Sequence, residues 1–185
     1  MNQTFLLIGL GNPGTKYEKT RHNIGANFIK WLKDQYPQAK WKIQKKNLAQ
    51  IAEIQENNLN FILALPLVFM NESGKTISRL KKYYQIPLTQ IVVIHDDNDL
   101  KIGTFKISFK RGSAGHKGVA SIIAHLKSNE FYRLRIGIQP LTTTRQKAED
   151  LVLKSFSLSE QQVIKTNFPL MKKRLEQEIL HEGKT

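Results

Sequence analysis

Three short, unbroken apolar runs constrain this chain more than any other feature: residues 5–8 (Phe-Leu-Leu-Ile), 61–65 (Phe-Ile-Leu-Ala-Leu) and 91–94 (Ile-Val-Val-Ile). A strand that is apolar at every position has no face to offer water, so it belongs inside a sheet covered on both sides. Segments of helical period alternate with these runs. Ile24, Phe28, Trp31 and Leu32 share one face of a first helix, and Ile77, Leu80 and Tyr84 one face of another. Two stretches break the alternation. Residues 50–55 turn at Asn57 and Asn58 into the run beginning at Leu59, which is a hairpin pattern. Residues 103–109 and 132–138 read as two more strands around a helix at 118–126. The expectation is an α/β fold, a single domain over residues 1–185, with a mixed central β-sheet and helices packed on both faces. In the last third, Ile164, Phe168, Met171, Leu175 and Ile179 keep helical spacing. Pro169 lies among them and is expected to kink or divide that helix.

The 29 lysines and arginines face only 15 acids, a formal charge of +14. Such a surplus favours a polyanionic partner, because neutralising phosphates releases condensed counterions. No segment joins a basic face to a strongly apolar one, which argues against acidic membranes. The absence of cysteine excludes a disulfide framework, a thiolate metal site and a cysteine nucleophile. The apolar run at residues 5–10 is too short for a signal peptide or a membrane span, so a soluble, cytoplasmic protein is expected.

Gly9-Leu10-Gly11-Asn12-Pro13-Gly14 follows a strand and formally matches a dinucleotide fingerprint. That fingerprint needs a helix starting within the motif and an acid closing the second strand. Here residues 13–17 continue as loop, helical period begins near Asn23, and the acid at about the right distance, Asp34, ends a helix. A nucleotide site is therefore not expected. Behind the loop stands Thr20-Arg21-His22-Asn23, which places a histidine at the carboxyl edge of the sheet, where open α/β proteins bind ligands.

Further motifs follow in order: residues 66–74 (Pro-Leu-Val-Phe-Met-Asn-Glu-Ser-Gly), 95–100 (His-Asp-Asp-Asn-Asp-Leu) with Gly103, Gly115-His116 with Gly118, and 133–138 (Arg-Leu-Arg-Ile-Gly-Ile). A weaker one is Leu151-Val152-Leu153 with Phe156. Together with Gly9–Gly14 and His22, this series resembles the bacterial peptidyl-tRNA hydrolase family over almost the whole chain.

The resemblance implies hydrolysis of the ester between a peptide and the terminal ribose of tRNA, by a monomer without metal or cofactor. His22 would be the general base on water, since imidazole titrates near working pH. Asp96 would take the other ring N–H, fixing the tautomer as the aspartate of a serine-protease triad does. Asn12 and Asn71 would hold the peptide and polarise the scissile carbonyl, Asn71 alternatively capping the next helix. Tyr17 and Phe69 are implied as substrate contacts, Tyr17 equally as packing. Lys106, Lys110, Arg111, Arg133 and Arg135 would meet tRNA phosphates. Arg135 leads, because a guanidinium grips phosphate bidentately and strand alternation sets Arg133 beside it.

One departure stands out: the family asparagine after Gly-His is Lys117 here. Lysine donates but cannot accept, and its charge near His22 disfavours the protonated imidazole. Ser108 stands where many members carry a second lysine, and the Gly-Ile-Gly stretch is shortened to Gly137-Ile138-Gln139. These changes keep open an alternative, a relative that binds RNA without hydrolysing it. A metal site at Asp96, Asp97 and Asp99 beside His95 is a further rival, but calcium-loop spacing fails at Lys101 and Ile102. Asp97 and Asp99 are expected at a turn and a helix end. His95, His125 and His181 are expected to be structural.

Overall fold

The apolar runs form the middle of a seven-stranded sheet in the computed structural model, which describes residues 3–56, 58–141 and 146–182. The strands are β1 (Gln3–Gly9), β2 (Lys42–Gln44), β3 (Ala49–Glu56), β4 (Leu59–Pro66), β5 (Ile91–Lys101), β6 (Phe105–Phe109) and β7 (Tyr132–Gln139). Their order is β2-β3-β4-β1-β5-β7-β6. The central four run parallel, while β2, β3 and β6 add antiparallel edges. The expected hairpin joins β3 to β4 through Asn58 in the left-handed region, Asn57 lying outside the described residues.

Alternation within each run divides the core. Phe5, Leu7, Phe61, Leu63, Val92 and Ile94 point to one face, where α1 (Ile24–Asp34) and α5 (Leu158–Glu182) supply Phe28, Ile29, Phe168, Met171 and Leu175. Leu6, Ile8, Ile62, Ala64, Ile91 and Val93 point to the other, against Ile77 and Leu80 of α2 (Ser73–Tyr84) and Val119 and Ile122 of α3 (Lys117–Leu126). Each of these fully buried large side chains contributes about 1.5–3 kcal/mol. A one-turn helix, α4 (Ala148–Leu151), precedes α5. Among the described residues no helix is long and apolar enough to cross a membrane.

Two expectations are corrected. Helix α5 runs through Pro169 undivided. Ile164, Phe168, Met171, Leu175 and Ile179 are all buried, so tertiary packing outweighs the lost backbone bond. Pro169 and Lys165, whose carbonyl loses that bond, are both exposed and lie open to water. Secondly, no helix ends near Asp99. Strand β5 continues to Lys101, with a register shift between Asp97 and Lys101 where the Asp99 N–H donates to Asp97 Oδ1 at 2.8 Å. Such a bulge re-aims side chains next to a site.

Close approach of α1 to the strand ends shapes the carboxyl end of the sheet. The Leu10 N–H donates to the Ile94 carbonyl and the Ala26 N–H to the Leu10 carbonyl, both at 2.9 Å. Contact this tight requires glycine at position 25, where a Cβ would stand 2.1 Å from the Ile94 oxygen.

Candidate active site

An open cleft of about 1350 Å³ lies at the carboxyl ends of β1, β5 and β7. His22 sits on its wall, in the 3-10 turn Arg21–Asn23 that leads into α1. The turn is held from both sides. The Arg21 and His22 amides donate to the Lys154 and Val152 carbonyls at 3.0 and 2.9 Å. The buried Arg21 guanidinium donates to the Ile138 carbonyl and pairs with Glu160 of α5 at 2.8 Å.

His22 Nδ1 lies 2.7 Å from Asp96 Oδ1. An ionised carboxylate can only accept, so Nδ1 carries the proton. The other nitrogen, Nε2, has no protein partner among the described residues. The same oxygen receives His116 Nε2 at 2.9 Å. Burial works against ionising Asp96, but the interactions with His116 and His22 overcome it and hold the carboxyl well below the usual carboxylate range. The residue before it, His95, is buried and hydrogen-bonds the Asp96 carbonyl through Nδ1 at 2.6 Å.

Burial pushes the His95 ring well below the ordinary histidine pKa, and the neighbouring His116 adds to the shift. The unfolded chain takes up a proton here below about pH 6.5 while the folded protein does not. Stability must therefore fall as the pH drops through that range, by up to about 1.4 kcal/mol per unit. Urea unfolding at about pH 7 and about pH 5.5 should reveal this slope. His95→Asn, which keeps a donor for the Asp96 carbonyl, should flatten it; an unchanged slope would contradict a neutral, buried ring.

The glycine loop is locked by a residue to which the sequence assigned no role. Asn23 Oδ1 accepts the Asn12 N–H and Asn23 Nδ2 donates to the Asn12 carbonyl, each at 2.9 Å. The Asn12 side chain is oriented in turn by the Met70 N–H, which donates to its Oδ1 at 2.9 Å. Because an N–H must meet an oxygen, Asn12 Nδ2 is left on the cleft wall as a donor without a partner among the described residues. Asn71 is exposed on the same wall. It does not cap α2, whose N-cap position is Glu72 and carries no side-chain bond to the helix-start amides. Phe69 is half exposed on the rim, backed edge-on by Tyr17 with ring centroids 6.3 Å apart. Lys117 is exposed on the wall, in the first turn of α3.

The cations divide. Arg111, Arg133 and Arg135 line the cleft. Lys106 is directly opposite Arg135 on β6 and shares its face, but is not part of the wall. Lys110 turns away to pair with Glu130 at 2.7 Å. The two strand arginines differ in their partners: Arg135 Nε donates to Asp97 Oδ2 at 2.6 Å, whereas no carboxylate of the described residues pairs directly with the buried Arg133. Burial and the charges of Arg135 and Arg111 lower the Arg133 pKa, marking a guanidinium short of negative charge.

The acidic trio does not assemble as a ligand set, since Asp97 is spent on Arg135 and on the Asp99 amide. The group of metal-type donors that does come together is His22, Asp96 and His116, both rings hydrogen-bonded to the Asp96 carboxylate. His125 bonds the Ser121 carbonyl one turn back on α3, and the His181 side chain lies outside the described residues. His116 is the main member that sequence reasoning left without a role; its place between Gly115 and Gly118 was the available signal.

Comparison with known proteins agrees with this arrangement. The profile of the peptidyl-tRNA hydrolase family matches residues 6–185. The chain is 40% identical over 182 residues to the peptidyl-tRNA hydrolase of Dichelobacter nodosus, covering 96% of this chain and 93% of that one. It is 41% identical over 163 residues to that of Mycoplasma capricolum, covering 88% and 86%. Among solved structures, peptidyl-tRNA hydrolase from Acinetobacter baumannii superposes with a TM-score of 0.83 at 29% identity, over 97% of this chain and 94% of that one. The order of motifs, the sheet and these matches coincide: the chain belongs to the peptidyl-tRNA hydrolase family.

Proposed function

We propose that this protein hydrolyses the ester between the peptide and the terminal ribose of peptidyl-tRNA, using water, without a metal or cofactor. The observation that carries the reading is the His22–Asp96 pair at 2.7 Å on the wall of an open cleft, with Nε2 left for a substrate water. In this mechanism Nε2 takes a proton from water as the water oxygen bonds to the carbonyl carbon. The carbonyl oxygen becomes an oxyanion, met by the amides of Asn12 and Asn71. Collapse breaks the bond to the ribose oxygen, which leaves with the proton from His22. Phe69, backed by Tyr17, offers an aromatic face to the terminal base.

Support for catalysis over mere RNA binding comes from the intact pair and from Lys117, which is exposed at the wall. Arg133, Arg135 and Arg111 form the phosphate-binding side, with Lys106 beside them. Work as a monomer in the cytoplasm belongs to the same proposal. Arg135→Ala should weaken tRNA binding and lower the slope of log K against log salt by about 0.7–0.9 for each phosphate lost. Hydrolysis of a small model ester should change far less. Equal losses on both substrates would assign Arg135 to the fold or the catalytic centre.

The reading as a whole is tested by tRNA release from N-acetyl-aminoacyl-tRNA after EDTA treatment, with unblocked aminoacyl-tRNA as control. Release from the blocked substrate, undiminished by the chelator, is the expected result. Loss in EDTA that Mg²⁺ or Mn²⁺ restores would move the case to metal chemistry, and binding without release would favour the RNA-binding alternative.

A further inference from the structure

His116 occupies the first position outside α3, and its side chain is the cap of that helix. Nδ1 accepts the N–H groups of Gly118 and Val119 at 3.1 and 3.3 Å, from a β-region backbone that suits an N-cap. A nitrogen that accepts two hydrogen bonds carries no proton, so the proton of the neutral ring sits on Nε2. Helix α3 therefore dictates the tautomer, and Nε2–H is aimed at Asp96 Oδ1, 2.9 Å away. This is the oxygen that also receives His22. The His22 and His116 rings flank it with centroids 4.9 Å apart, and His95 packs edge-on against His116 at 4.7 Å. Little slack remains around the carboxylate.

We propose that His116 is a positioning residue for the general base: through the start of α3 it holds Asp96 in place and takes a share of the one oxygen that would otherwise serve His22 alone. The proposal rests on the reading of His22 as base. A carboxylate oxygen shared by two N–H donors attracts an imidazolium less strongly than one with a single donor. His116 thereby limits how strongly Asp96 attracts a protonated His22. Other charged or titratable residues lining the cleft around Asp96 include His95, Asp97 and Asp99 on the same strand, Arg133 and Arg135 on β7, Arg111 and Lys117 near the start of α3, and Lys147 and Glu149 near α4. No donor in this set reaches this oxygen by a hydrogen bond among the described residues.

The two roles of His116 separate in His116→Asn. Asparagine caps a helix through its side-chain oxygen as well as any residue, so α3 keeps its start. Its short amide cannot also extend a donor to Asp96. The expected result is a Tm within a few degrees of wild type and a lower kcat. The acid limb of kcat/KM, and the His22 midpoint in a ¹⁵N-histidine NMR titration, should move up by about half a unit to one unit, the worth of one hydrogen bond. The titration is read without turnover, so a weakly active variant still gives an answer. An unchanged or lowered midpoint in the folded variant would leave His116 as a cap only and overturn the proposal. Failure of the base assignment is separate: it would appear as activity surviving in His22→Ala, whatever His116→Asn does.

Discussion

His22→Ala is expected to lose at least nine-tenths of its turnover, and by the ordinary worth of general-base catalysis roughly 10²–10⁴-fold, while tRNA binding survives. The expectation follows from geometry. His22 is the one histidine on the cleft wall with a carboxylate behind one nitrogen and an open position before the other. His116 has both nitrogens engaged, one on the α3 amides and one on Asp96. His95 is buried beneath it. Alanine at position 22 removes the base but leaves the turn standing, because the backbone bond to Val152 and the Arg21–Glu160 pair do not involve the ring. The cations proposed to meet tRNA lie on β7 and the loop before α3, so binding should be spared. Turnover above about a tenth of wild type would show that another group activates the water.

Gly25→Ala should cost much stability for a single added methyl. Two effects oppose each other. Alanine is the better helix former by about 1 kcal/mol. Its Cβ, however, would stand 2.1 Å from the Ile94 oxygen, 2.8 Å from the Ile94 carbonyl carbon and 3.0 Å from the Leu10 nitrogen. These are backbone atoms of the central strands and the glycine loop, which cannot rotate away as a side chain would. The clash wins, because α1 must lift off the sheet. Overpacking of this kind costs about 1–3 kcal/mol or more, which for a chain of this size lowers Tm by roughly 3–10 °C. Activity should fall with it, since α1 carries the His22 turn. Gly112→Ala is the control. Its Cβ would meet nothing within 4 Å, so Tm should stay nearly constant. Similar Tm values for the two variants in a thermal melt would contradict the tight α1–sheet contact.

Local pattern made most of the fold legible. The apolar runs, the Asn58 turn and the helical stripes depend on period and turn chemistry, which neighbouring residues carry. The motifs likewise brought Asn12, His22, Asn71 and Asp96 to one end of the sheet. Pairings set by register were not legible. Nothing in residues 95–99 announces that Asp97 meets Arg135 across β5 and β7. Lys110 stands in a basic stretch that gives no sign of its pairing with Glu130, twenty residues on. His116 was quoted as part of a motif, yet its role depends on a ring nitrogen facing helix amides, which spacing does not encode. The division expected at Pro169 does not occur, because a buried face holds the helix together.

The chemistry described for the cleft makes water the nucleophile and the peptide carbonyl its target. A single turnover of N-acetyl-aminoacyl-tRNA in H₂¹⁸O, with both products analysed by mass spectrometry, tests this most directly. One ¹⁸O atom should appear in the carboxylate of the released N-acetyl amino acid, with the tRNA intact and unlabelled at its terminal ribose. Label in the tRNA, a cleaved phosphodiester, or an acid free of ¹⁸O would contradict it.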